Sequence, residues 1–190
     1  MKEEITEKKG TLSSLWIVQR VIAVLAIIMA FFPIANPAKI CGLVSDKISL
    51  FTSAISYNSL ISDCARAFRM NWVDETTFVV TYIGAVIAVL GIAATGVGIC
   101  TSMGNNKLQR FGLKFSIIGA TAEVVGYAVC FVGYILVQDT NRVDKVAPSM
   151  PVGVFVFGGI AVVILLLSLV LFAKTPKALP GEKFEMESKY

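Results

Sequence analysis

The chain has 190 residues, of which 56% are hydrophobic and 16% charged, with a formal net charge of +4 and no histidine. A soluble domain carries about 25% charged and 45–50% apolar residues, so a soluble globular enzyme, a disordered chain and a nucleic-acid-binding domain are excluded. Without histidine the usual general base near neutral pH and histidine-held zinc or haem are also lost. The four cysteines show no C-x-x-C spacing, and no cofactor is expected.

The apolar excess lies in four runs, 15–32, 78–100, 115–137 and 152–173, of 18, 23, 23 and 22 residues. An α-helix needs roughly 20 residues to cross a hydrocarbon core of ~30 Å. The pattern predicts an all-α membrane protein, a four-helix transmembrane bundle, in place of the short alternating strands of an outer-membrane barrel.

Residues 1–14 read as a polar cytoplasmic tail. The first run follows a charged segment, as a signal peptide does, but its 18 residues with Arg20 inside exceed the usual h-region, which predicts a retained helix. It ends at Phe31-Phe32-Pro33, where proline stops a helix. The outer segment 34–76 is neutral overall. Within it Tyr57, Leu60, Ile61, Cys64, Ala65, Phe68 and Trp72 recur at helical spacing. They predict a short extracytoplasmic amphipathic helix between the first two spans. Tyr57, Ile61, Phe68 and Trp72 would lie against the membrane surface or receive a partner. Cys41 and Cys64 share this segment and are candidates for a disulfide if the compartment is oxidising; the alternative is two free thiols.

The second and third spans carry stripes of small residues at alternating spacings of four and three. In the second span these are Gly84, Ala88, Gly91, Thr95 and Gly98. In the third they are Gly112, Ser116, Gly119, Glu123, Gly126, Cys130 and Gly133, and the first span has a shorter version in Gln19, Ala23, Ala26 and Ala30. Apolar side chains gain little by leaving lipid tails for one another, so small residues that let backbones approach drive helix pairing. The stripes predict an antiparallel hairpin of the second and third spans. They do not distinguish internal packing from self-association.

Glu123 is the one acid in any span and Arg20 the one base. From flanking residues Lys114 and Ser14, a rise of 1.5 Å per residue places them roughly 13 Å and 9 Å deep. A charge at such depth costs at least ~2–3 kcal/mol, so Glu123 should face protein or water. Arg20 is its candidate partner, with Gln19 beside it; the alternative has Arg20 reaching back to the headgroups.

The loop 101–114 holds three basic residues and no acid, and the tail 174–190 holds four lysines. With both termini and that loop inside, ten Lys and Arg lie inside and six outside, the bias expected of a multi-pass protein with cytoplasmic ends, most simply in a plasma membrane.

Four spans, both ends inside and a longer first outer loop with two cysteines resemble the layout of claudin-like tetraspan proteins. The claudin Gly-Leu-Trp and close cysteine pair are absent, as is the tetraspanin Cys-Cys-Gly, so the likeness is one of architecture. The spans hold neither paired aspartates nor a Ser/His pair. The expected function is therefore non-enzymatic: an accessory or assembly subunit that associates with other membrane proteins, or with itself, through the seams and the outer helix. The alternative is a homo-oligomeric small transporter or channel component that couples protons or cations at Glu123.

Overall fold

The computed structural model describes residues 2–31, 50–55, 75–103, 106–140 and 152–175. Four long helices and one short one account for them: α1 (Lys2–Met29), α2 (Leu50–Ile55), α3 (Glu75–Thr101), α4 (Asn106–Thr140) and α5 (Val152–Lys174). No strand occurs among the described residues.

Three segments are long and apolar enough to cross a membrane: Val79–Thr101, Leu108–Gly133 and Gly153–Lys174. The apolar part of α1, Ser13–Met29, has 17 residues and is shorter than these three. Three of the four expected spans thus recur with shifted ends, and the helix expected over 15–32 is present without reaching spanning length. α1 begins at Lys2 rather than near residue 15, because 2–14 is rich in helix-forming Glu and Lys, with Glu4 four residues ahead of Lys8. It ends at Met29, one turn before Pro33. α4 begins at Asn106, so the anticipated inner loop 101–114 contracts to the four residues between Thr101 and Asn106. Lys107, Leu108, Gln109 and Arg110 are good helix formers whose charge reads as loop when depth in the membrane is the only criterion.

The turn between α3 and α4 closes on its own polar groups. Ser102 N–H donates to Gly98 O at 3.0 Å, Ser102 Oγ to Ile99 O at 2.8 Å, and Thr101 Oγ1 to Val97 O at 2.9 Å. These bonds occupy carbonyls that a helix end otherwise leaves open. α5 ends similarly: Thr175 N–H and Oγ1 both donate to Leu171 O, at 2.8 and 2.7 Å, before Pro176.

The helices form a ring. The most extensive packing joins α3 to α4, followed by α4 to α5, while α1 closes the ring with lighter contacts to α5 and α3. α2 sits on α3 and on the end of α1, where Leu50 is fully buried. Phe51 N–H donates to Ala30 O at 3.2 Å, and the Phe31 and Phe51 rings lie 4.7 Å apart. α2 is not signalled by the sequence pattern. The amphipathic helix expected around Tyr57, Ile61, Phe68 and Trp72 lies outside the described residues, as do Cys41 and Cys64.

The interior is rich in small residues, though Leu113, Ile164 and Leu171 are also fully buried, and the exterior is made of large apolar ones. Ala23, Ala26, Ala30, Ala85, Ala88, Ala120 and Ala161 are buried, whereas Leu90, Ile118 and Leu166 are each more than half exposed. Water would not tolerate so continuous an apolar surface on a monomer. Hydrocarbon would, because large side chains lose nothing there while small ones let the backbones close up.

Candidate functional site

The α3–α4 seam is the most specific structure in the molecule. A Cβ built on Gly91 would lie 2.6 Å from Glu123 N and 2.7 Å from Gly119 O. One on Gly84 would lie 2.8 Å from Cys130 N and 2.8 Å from Gly126 O, and one on Gly98 would lie 2.6 Å from Gly112 O and 2.6 Å from Ser116 N. Seen from α4, a Cβ on Gly119 would approach Thr95 N to 2.5 Å, and one on Gly126 would approach Ala88 N to 2.5 Å. Each step of seven residues down α3 is matched by seven up α4, so the two glycine rows meet in antiparallel register along the whole hairpin. A strict seven-residue repeat keeps such a seam in contact.

Hydroxyls fill the notches that the glycines leave. Thr81 Oγ1 faces Gly133, Thr95 Oγ1 faces Gly119, Thr101 Oγ1 faces Gly112, and Ser116 Oγ faces Gly98. Thr81 Oγ1 and Ser116 Oγ are buried without a hydrogen-bond partner, so their value here is steric. Cys130, also buried, turns its Sγ toward Thr81 O at 3.8 Å.

Glu123 occupies the centre of this seam and is 2% exposed. Thr95 Oγ1 donates to its Oε1 at 2.7 Å. Its position follows from the repeat: it is the α4 residue that sits over Gly91, where no side chain competes for space. The bond ties the two helices together about six residues, or roughly 9 Å, above the Thr101 end of α3.

Arg20 and Gln19 are not brought to Glu123. Arg20 Nη2 donates to Ser102 O at 3.3 Å, and its guanidinium lies over the Trp16 ring at 5.1 Å from the centroid. Ser102 is seven residues below Thr95 on α3, which separates Arg20 from the acid by roughly 10 Å in depth. The sequence estimate placed both groups from the nearest polar residue, and the extension of α1 and α4 past those residues moves the levels apart. Gln19 Nε2 instead donates to Ser168 Oγ at 3.1 Å, joining α1 to α5, while Gln19 Oε1 is buried without a partner. Among the described residues the acid and the base therefore form two separate sites.

Two polar residues not anticipated from sequence belong to the second site's end of the bundle. Arg110 Nη1 donates to Thr175 O at 2.8 Å and stacks over Phe172 at 4.5 Å, so it closes the C-terminus of α5. Ser168 is the buried acceptor for Gln19. The one sequence signal for Ser168 was a polar residue interrupting an apolar run, while Arg110 was counted only as part of the basic loop 101–114. Among the described residues no group of three or more Cys, Asp or Glu is placed to hold a metal ion.

Two of the apolar grooves outside the seam bear on function. One, of about 600 Å³, runs between α1 and α5 past Ile22, Leu25, Met29, Phe155, Gly159 and Val163. The other, of about 460 Å³, runs between α1, α2 and α3. No family model, no curated protein and no solved structure matches the chain.

Proposed function

We propose that the protein is a four-span, non-enzymatic membrane subunit with cytoplasmic ends that binds or assembles other membrane proteins. The seams of α3 and α4 are occupied by each other, so they serve the fold, and the docking surface is the α1–α5 groove instead. The observation that carries this is Gly159, on the wall of that groove, where an added Cβ would have nothing within 4 Å. It is an unfilled small-residue position on an apolar face, the kind of place where a second helix approaches closely. The outer segment around Tyr57 and Trp72 would be a second contact on the far side.

Purification in mild detergent, followed by mass spectrometry of the intact complex, tests the proposal. Stoichiometric partners should accompany the wild type and be lost from Gly159→Trp, whose thermal stability should match wild type. Partners that stay with Gly159→Trp would overturn the assigned face, and a monomer without partners would overturn the function.

The transporter reading rests on Glu123, a buried acid on the bundle's tightest seam. A pure homo-oligomer whose Glu123→Gln variant loses proton- or cation-coupled flux would favour it.

A further inference from the structure

The groove between α1, α2 and α3 differs from the α1–α5 groove in shape and in what lies at its end. Its walls include Ile27, Phe31, Phe51, Ile92, Gly96 and Val97, and the hydroxyl of Thr101 and the thiol of Cys100 come only at the lower end. From Val89 to Thr101 it follows α3 for twelve residues, roughly 18 Å at 1.5 Å each. That is a little more than half of the ~30 Å hydrocarbon core, or about one leaflet. A volume of about 460 Å³ spread over that length is enough for one hydrocarbon chain laid along α3.

A cation stands at the lower end. Arg20 precedes Ile27 by seven residues, two helical turns, and so lies on the same face of α1. Its guanidinium reaches Ser102 O, one residue past Thr101. Among the described residues no carboxylate pairs with it, since Glu123 turns to Thr95. Its other contacts are the face of Trp16 and none at all for the buried Nε. Arg110, Lys114 and Lys174 add positive charge at the same end of the bundle. Basic residues at that depth attract anionic headgroups.

We propose that this groove holds one acyl chain of an anionic phospholipid from the leaflet on the Ser102 side, with the lipid phosphate against Arg20. The groove supplies the length of a single chain, and the arginine supplies the choice of headgroup.

The test uses the full chain, delipidated in maltoside and titrated with phosphatidylglycerol or phosphatidylcholine of matched chains, with native mass spectrometry counting bound lipid. Wild type should bind one phosphatidylglycerol about tenfold more tightly than phosphatidylcholine, equivalent to ~1.4 kcal/mol. Arg20→Gln should bring the two lipids to equal affinity, and Arg20→Lys should keep part of the preference. Ala93→Phe, at an exposed position on the groove wall, should weaken both lipids equally without changing the melting temperature. Equal binding of the two lipids by wild type would overturn the proposal even if the Arg20 variants failed to fold. So would an unchanged preference in Arg20→Gln, or unchanged binding in Ala93→Phe.

Discussion

Replacing Gly91 by alanine adds one methyl group at the place where α3 and α4 come closest to Glu123. That methyl would stand 2.6 Å from Glu123 N, 2.7 Å from Gly119 O and 2.8 Å from Glu123 Cγ. Non-bonded heavy atoms settle at ~3.5–4.0 Å, so the helices must part by about 1 Å. Two of the three obstructing atoms are backbone, which no rotamer change can move. Overpacking of this kind costs about 1–3 kcal/mol. Parting the helices also stretches the Thr95–Glu123 bond, and interhelical bonds in membranes average ~0.6 kcal/mol. Alanine returns up to ~1 kcal/mol through its better helix propensity. The net expectation is a loss of ~2 kcal/mol, or about 4–8 °C in melting temperature for a chain of this size. The control is Gly159→Ala, where the new methyl meets nothing within 4 Å and the propensity gain is unopposed. Thermal unfolding of both variants in the same detergent decides the matter. If Gly91→Ala melts within about 1 °C of Gly159→Ala, the seam does not limit stability and the close-approach argument fails.

Other positions give independent expectations. Glu123→Gln keeps an oxygen for the Thr95 hydroxyl and should cost under ~1 kcal/mol in the same melt, whereas Thr95→Val leaves the carboxyl without its donor and should cost ~1–3 kcal/mol. Arg110→Ala removes both the bond to Thr175 O and the stacking on Phe172, and hydrogen exchange at the C-terminal turn of α5 should accelerate while the α3–α4 hairpin stays protected. Gln19→Leu exchanges a half-satisfied amide for an apolar side chain and should change stability by no more than ~1 kcal/mol, the usual scale of interhelical bonds in lipid. With Cys41 and Cys64 replaced by serine, a lipid-soluble maleimide should label exposed Cys100 in the folded protein and reach buried Cys130 only after unfolding.

The parts of the architecture that depend on periodicity were legible without coordinates. Gly84, Gly91 and Gly98 repeat every seven residues, and so do Gly112, Gly119, Gly126 and Gly133; a short connection leaves two such rows little choice but to face each other. The Gln19, Ala23, Ala26 and Ala30 stripe likewise turns inward, all four being buried. What periodicity cannot give is level. The expected pairing of Arg20 with Glu123 rested on depth counted from charged residues, and helices that run on past those residues shift the count by a turn or more. Neither could pattern reveal α2, whose six residues are too few for a period to show. Nor could it say which stripe is consumed inside the bundle: Gly159 is as small as Gly91, and only the packing separates an occupied notch from an open one.

The docking of α2 divides the connection between α1 and α3 in two. Leu50 and the bond from Phe51 to Ala30 fix a point midway in sequence between α1 and α3, with 32–49 on one side and 56–74 on the other. Cys41 falls before α2 and Cys64 after it. A disulfide between them would close a covalent loop that contains α2, so that helix and the cross-link would share one constraint. Reduction would then be felt as a loosening of Leu50 and Phe51, with the α3–α4 hairpin beneath them unaffected.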